Sequence, residues 1–296
     1  MVKKKPVFRN IAIFSSLHEK RVSQISQQVE EILNNLGLKI MIPKSFSPYP
    51  TSFGKIYSDN YVSKNADLII AIGGDGTLLF AARKFGSNGI PILGINLGKL
   101  GFLTDVAPEE LTQSLSEIIF GNFTKEERFL LKVTLNKRRK AEFALNEVVI
   151  HSQKISRLME YELYIDDKFV YRQRADGIII STPTGSTAYS LSGNGPIIHP
   201  KVEAINLLPM FPHSLNSRPL IVDQSSKIEV KIVKKEVASL SVDGQANLVI
   251  KKGDEIRISK ANHGVTLIHP LDHNFFSACR TKLGWSLGLP VKSITR

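Results

Sequence analysis

The chain has 296 residues, 42% of them hydrophobic, with a formal net charge of +12. That length suits two ordinary domains or one large one, with enough apolar material for a real core. No apolar run approaches the roughly 20 residues of a membrane span, and the single Cys279 excludes an internal disulfide framework or a thiolate metal cluster.

The chain opens on "MVKKKPVFRNIAIF", basic and then briefly apolar. The apolar part is too short for a signal peptide, and no small-residue cleavage site follows it, so a cytoplasmic protein is expected. "VFRNIAIFSS" at 7–16 predicts a first β-strand. In the next segment Val22, Ile25, Val29, Ile32 and Leu33 fall at helical spacing, and Gly37 stands where a helix would stop. "LKIMIP" predicts a second strand. After a polar stretch, "ADLIIAIG" predicts a third, "TLLFAARKFG" a helix and "IPILGINLG" a fourth strand. This alternation predicts a parallel sheet with helices on its faces. "PEELTQSLSEIIFGNF" at 108–123 predicts one more helix.

Past it the period changes. "ERFLLKVTLNKRRKAEFALNEVVIHS" and "MEYELYIDDKFVYRQRADGIIISTP" alternate like strands, with "DD" as a hairpin signal, and further short strands follow between "DG" and "GD" turns. The predicted organisation is an α/β domain over 1–125, a mostly β domain over 126–270, and a tail over 271–296 that docks on the folded body. Phe275, Phe276, Leu283 and Trp285 make that tail too apolar for a free terminus.

The positive charge attracts polyanions. The basic residues are dispersed, however, with local runs only at Lys3–Lys5 and in "NKRRK" at 136–140. Neither lies beside a helix-turn-helix, zinc-finger or aromatic RNA-binding pattern, so neither nucleic acid nor membrane is an expected partner. A small phosphorylated ligand, or an enzyme handling several phosphates, would use the same field. The seven histidines show no metal-ligand pattern. His263, His269 and His273 are separated by loops, which argues against a structural zinc site.

Two clusters carry chemistry. Gly73, Gly74, Asp75, Gly76 and Thr77 end a parallel strand and open a helix. In open α/β sheets that crevice binds ligands, glycines allow close backbone approach, and free helix-start amides favour phosphate oxygens. Asp75 would repel a bare phosphate. It suits a divalent cation that bridges phosphates, a proton acceptor for an attacking hydroxyl, or an N-cap. No P-loop and no complete dinucleotide-binding glycine fingerprint occurs. The second cluster is "ADGIIISTPTGSTAYSLSGNGP" at 175–196. Thr182, Thr184, Ser186, Thr187, Tyr189, Ser190 and Ser192 offer hydroxyls, and Tyr189 a flat surface for a base or sugar. Such hydroxyls also bond their own backbone. Asn146 and Glu147 interrupt an apolar alternation, and both reach one ligand only at a strand start or a bulge. Arg174, Asp176 and Asp243 sit near turns. Arg174 suits a phosphate or Asp176, and Asp243-Gly244 also reads as a plain hairpin turn.

At these residues the chain resembles the bacterial NAD kinases. The matching pieces are "GGDGTLL" at 73–79, "NLGKLGFL" at 96–103, "NEVVIH" at 146–151, the tract at 176–200, "SVDGQ" at 241–245 and "FFSACRTKLGW" in the tail. A related glycine-aspartate motif occurs in 6-phosphofructokinases and in diacylglycerol or sphingosine kinases, which leaves a kinase for a sugar phosphate or lipid as the alternative. The resemblance implies transfer of the ATP γ-phosphoryl group to the 2′-hydroxyl of the adenosine ribose of NAD, giving NADP and ADP. It implies that Asp75 is catalytic and that Gly74 and Gly76 approach phosphates. Phe102 would line the adenine pocket, and Asn146 and Thr187 would bond the adenine edge. Glu147 would hold the ribose hydroxyls, Tyr189 would pack on the adenosine, and Asp176 and Ala188 would lie near the nicotinamide. Arg174, Ser192, Asp243 and Gln245 complete the expected substrate-binding set. The resemblance further implies an α/β domain followed by an all-β, sandwich-like domain, with the C-terminal tail packed back on the first. It also implies a divalent cation, Mg2+, with no ligand set assigned, and a homodimer or homotetramer.

Overall fold

Leu68–Gly73 reads LIIAIG, and every residue in it is buried. A central strand covered on both faces tolerates such a run. The computed structural model describes residues 5–15, 20–46, 51–97, 101–136, 141–153, 158–233 and 238–285. The basic run 137–140, residues 98–100 of the "NLGKLGFL" motif and the end of the tail from 286 lie outside the described residues.

The chain divides into two units. Residues up to Glu127, together with those from Val265 onward, form the first, and Arg128–Gly264 form the second.

In the first unit, β1 (Asn10–Phe14), α1 (Lys20–Asn35), β2 (Lys39–Pro43), β3 (Lys55–Tyr57), α2 (Asp59–Asn65), β4 (Leu68–Gly73), α3 (Asp75–Phe85), β5 (Ile92–Asn96) and α4 (Leu111–Ile119) follow in sequence. The strands pair in parallel in the order β3-β2-β1-β4-β5. The order reverses between β1 and β4, so the glycine cluster at the end of β4 lies at the switch point where such sheets bind ligands. The helix α1 buries Val22, Ile25, Val29 and Leu33 as its spacing predicts, and Gly37 ends the segment at φ 69°. Glu30 is buried with them. Its Oε2 accepts from the backbone N–H groups of Ser52, Phe53 and Gly54 and from Thr51 Oγ1.

Two expectations change here. The polar stretch before β4 holds a strand and a helix, β3 and α2, the latter capped by Ser58. The helix over 108–123 is shorter: Pro108–Glu110 forms a 3-10 turn and α4 covers Leu111–Ile119 alone.

The second unit is built from antiparallel strands: β6 (Thr124–Leu135), β7 (Glu142–Ala144), β8 (Glu147–Ser152), β9 (Met159–Ile165), β10 (Lys168–Ala175), β11 (Gly177–Ser181), β12 (Ala204–Met210), β13 (Leu220–Asp223), β14 (Ile228–Ile232), β15 (Ala238–Val242), β16 (Ala246–Ile250) and β17 (Glu255–His269). A short helical turn, α5 (Tyr189–Ser192), follows β11. One sheet runs β13-β12-β11-β8-β15-β16. The other places β14 between β9 and the first part of β17. Val148, Ile150, Ile178 and Leu240 from one sheet share a core with Tyr161, Leu163, Val230 and Ile258 from the other, the face-to-face packing of a sandwich. Asp166 and Asp167 turn the β9–β10 hairpin with positive φ at both, and Asp243-Gly244 turns β15–β16 the same way.

The last residues of β17 belong to the first unit, where Leu267 and Ile268 pair in parallel with β5. Helix α6 (Phe275–Leu283) follows, capped by Asn274. It buries Ala278 and Cys279. Contrary to the expectation that the tail aromatics dock, Phe276 and Trp285 are 54% and 55% exposed. Helical spacing puts Phe275, Ala278, Cys279 and Lys282 on one stripe, and Phe276 falls outside it. No helix among the described residues is long and apolar enough to cross a membrane.

Candidate active site

One candidate site, in the first unit, surrounds Asp75. Gly74 occupies the N-cap of α3 with extended backbone and no side chain to cap it, and Gly76 lies one residue inside the helix. Asp75 is therefore not the N-cap. Its carboxylate reaches instead to the loop beyond β5. Oδ2 accepts from the Phe102 N–H at 3.0 Å, and Oδ1 accepts from the Leu103 N–H at 3.1 Å and Thr104 Oγ1 at 3.2 Å. Thr104 is buried, and Asn96 Nδ2 donates to the same hydroxyl at 3.0 Å. Gly101 makes room for this: a Cβ there would sit 2.1 Å from Asp75 Oδ1 and 2.2 Å from Thr104 Oγ1. Three donors from one loop fix the plane of a carboxylate whose side chain is still 28% exposed. Lys282 of α6 brings its Nζ to 3.9 Å from Asp75 Oδ2 and 5.4 Å from the Phe102 ring centre.

A second candidate site lies wholly in the β-rich unit. A cavity of about 980 Å3 is lined by Glu147, His151, Asp176, Tyr189, Ser241 and Asp243, among others. Glu147 opens β8 and Asn146 immediately precedes it, the strand start that their adjacency requires. Asp243, itself buried, explains why this turn holds its shape. Its Oδ1 accepts from the N–H groups of Asn146 at 2.8 Å and Glu147 at 3.0 Å, and its Oδ2 from that of Leu145 at 2.8 Å. Asn146 Oδ1 and Glu147 Oε2 are buried without a hydrogen-bond partner. Such atoms are costly to leave unpaired, and a bound ligand can satisfy them. Burial pushes the Glu147 carboxyl up to about 8, the Asp243 charge adds to this, and a hydrogen bond from the Tyr189 backbone opposes it.

The hydroxyl-rich tract packs against this turn. Thr182 donates its N–H to Asn146 O at 2.9 Å and its hydroxyl to Leu145 O at 2.6 Å. A Cβ on Gly185 would lie 2.1 Å from Asn146 O, so only glycine allows this approach. Several hydroxyls serve the backbone: Ser186 Oγ donates to Pro183 O and Thr187 Oγ1 to Thr184 O. Thr187 and Ala188 lead into Tyr189, whose ring is exposed.

The structure does not gather every expected residue in one place. Ser192 is exposed and lines a second cavity of about 580 Å3, to which Tyr189 also contributes. Arg174 is exposed on β10, opposite Glu160, in a cleft with His213 and Arg218. Gln245 is exposed in the β15–β16 turn. Sequence reasoning missed His151, Ser241 and Lys282. For His151 a signal exists, since Glu147, Val149 and His151 alternate onto one face of β8.

Comparison with known proteins identifies the family. The family model described as ATP-NAD kinase N-terminal domain matches residues 7–123, and the ATP-NAD kinase C-terminal domain matches 145–270. An NAD kinase of Marinobacter nauticus is 43% identical over 285 residues, covering 94% of this chain and 97% of the relative. The crystal structure of yeast NADH kinase complexed with NADH superposes with a TM-score of 0.85 at 27% identity, over 97% of this chain and 91% of the other. An NAD kinase from Archaeoglobus fulgidus in complex with ATP gives 0.72 at 27% identity, over 93% and 97%. The chain belongs to the ATP-NAD kinase family, and its activity is the ATP-dependent phosphorylation of NAD.

Proposed function

We propose that this chain transfers the γ-phosphoryl group of ATP to the 2′-hydroxyl of the adenosine ribose of NAD, with Asp75 as the residue that receives or orients the hydroxyl proton. The observation that carries this reading is the Asp75 carboxylate itself. It opens a helix without capping it and is aimed by three donors from the loop 102–104. A ribose hydroxyl is a poor nucleophile at neutral pH, so holding it in line with phosphorus supplies much of the rate. Gly74 and Gly76, with open space where a Cβ would stand, let phosphate oxygens approach the start of α3 closely. Lys282 supplies a cation beside the same carboxylate.

The adenosine part of NAD fits the β-rich cavity. The orphaned oxygens of Asn146 and Glu147 would take its amine and ribose hydroxyls, and the Tyr189 ring would stack on it. Asp176 and Ala188 are assigned to the nicotinamide side. Asp243 acts as the residue that positions Asn146 and Glu147.

The family uses a divalent cation, and the preferred one here is Mg2+. The partly exposed carboxylate of Asp75 would hold such an ion together with phosphate oxygens and water. When bound, it neutralises charge on the transferring oxygens. The chain is further proposed to work in the cytoplasm as a homodimer or homotetramer. Phe211 and Leu215, 77% and 92% exposed, provide apolar surface on the second unit. Light scattering on the purified chain checks the mass. The activity test is incubation with NAD, ATP and Mg2+, followed by detection of 2′-phosphorylated NAD. Absence of product, or transfer to a sugar phosphate or lipid in its place, would replace this reading with the related-kinase alternative.

A further inference from the structure

Asp105, His269 and His273 come from three separate places in the first unit: the loop after β5, the end of β17 and the turn before α6. One ligand atom from each lies within 4.8 Å of the others. His273 Nδ1 is 2.8 Å from Asp105 Oδ2, and His269 Nδ1 contacts the same oxygen. The two imidazoles stack at 4.0 Å between centres, and side-chain exposure is 1% for His269, 10% for His273 and 11% for Asp105. Behind His269, its Nε2 is buried without a hydrogen-bond partner, 3.6 Å from Glu126 Oε2. Nothing in the phosphoryl-transfer chemistry uses these groups.

We infer that Asp105, His269 and His273 form a binding site for one transition-metal ion of the Zn2+ class, with Glu126 as the outer carboxylate. Two imidazole nitrogens and one carboxylate oxygen suit a borderline cation and do not suit Mg2+. Ligand distances of about 2.0–2.1 Å in a tetrahedral site put donor atoms about 3.3 Å apart, so His273 would withdraw from Asp105 by about half an ångström and His269, the nearer of the two, by more. The proton balance closes. Each imidazole is bound as its neutral Nε2–H tautomer, so the ion takes the two Nδ1 lone pairs, the single ring proton sits on Nε2, and that of His269 faces Glu126. That carboxylate–histidine–metal arrangement gives the orphaned nitrogen its partner. The ion would tie β17 and the start of α6 to the loop whose neighbouring residue, Thr104, holds Asp75. The site is therefore structural, and it is separate from the cation that travels with ATP.

The experiment uses the full chain, stripped with a chelator and free of nucleotide. Co2+ is titrated first, with visible absorption as the readout, and Zn2+ is then added to displace it. One equivalent per chain is expected, with the absorption of low-coordinate cobalt, no displacement by excess Mg2+, and a Zn2+-dependent rise in thermal midpoint. His273→Asn keeps an N–H donor for Asp105 but is a poor ligand. It should retain its near-UV circular dichroism and weaken Zn2+ binding on the order of 100-fold. His273→Gln serves as the second variant if the first does not fold. Equal binding by wild type and a folded variant, or no saturable binding by wild type, would show that the cluster is held by hydrogen bonds alone and would overturn the assignment.

Discussion

Asp243 Oδ1 lies 2.8 Å from the backbone nitrogen of Asn146, across 97 residues of sequence. The same carboxylate also holds Leu145 and Glu147, so one side chain shapes the whole entry to β8. Asp243→Asn puts an NH2 group where one of these N–H donors points. The expected cost is about 1–3 kcal/mol of stability, read by urea denaturation, because a buried donor loses its acceptor. The KM for NAD should rise more than kcat falls, since the turn carries proposed NAD contacts and not the transferring groups.

Asp75→Asn tests the proton-handling role directly. Asparagine keeps the size of the side chain and can still accept from part of the loop 102–104, so circular dichroism should stay unchanged. Turnover should fall by about 10²-fold or more if the carboxylate takes the proton. Near-normal kcat in a folded Asp75→Asn protein would remove the residue from the mechanism.

Lys282 lies on the buried stripe of α6 and reaches Asp75 and Phe102. With side-chain exposures of 31% and 28%, the pair is solvated, so its disruption should change stability little. Its proposed value is as a cation for ATP. Lys282→Met should raise the KM for ATP on the order of tenfold, the loss of one charge-assisted contact. An unchanged KM with unchanged kcat would show that the lysine only packs on Phe102.

The parallel core was legible because apolar strands such as LIIAIG alternate with helical segments, and Gly73–Thr77 falls where such a sheet binds ligands. What stayed hidden depends on partners distant in sequence. Nothing near Glu30 announces that it fastens the loop 51–54, because that bond is set by how α1 packs. The strand Lys55–Tyr57 is three residues long, too short for periodicity to reveal. The role of Asp243 was half visible: the Asp-Gly turn is written in sequence, while the three amides it holds come from a different strand entry. The spacing of His269 and His273 gave no ligand pattern because the third donor, Asp105, lies 164 residues before His269.

Glu147 makes stability and binding depend on pH. Its folded value near 8 stands above the ordinary 4.5. Between those values the native state binds more protons than the unfolded chain, so stability falls as pH rises from about 4.5 to about 8. Glu147→Gln should flatten that part of the profile, seen as a smaller loss of thermal midpoint between pH 6 and pH 9. Ribose hydroxyls that donate to the carboxylate favour its charged form. NAD affinity should therefore rise with pH across the same window and level off above it, with proton release seen by calorimetry in buffers of different ionisation enthalpy. A flat affinity profile in the wild type would count against the ribose contact.

Gly101→Ala separates the aim of Asp75 from its identity. The added Cβ would stand 2.1 Å from Asp75 Oδ1 and 3.0 Å from the Thr104 nitrogen, so either the carboxylate or the loop must move. The φ of Gly101 is not in the left-handed region, so the penalty comes from contact and not from the backbone. Asp75 is the softer of the two, because its side chain is partly exposed while Thr104 is buried and tied to Asn96. The variant should fold with a modest loss of thermal midpoint. A shift of the reacting group by about 1 Å costs about 10²-fold in rate, so kcat should fall by that order while the NAD cavity, built from the other unit, keeps its affinity. Full activity in Gly101→Ala would mean that the hydrogen bonds from Phe102, Leu103 and Thr104 do not set the catalytic position of Asp75.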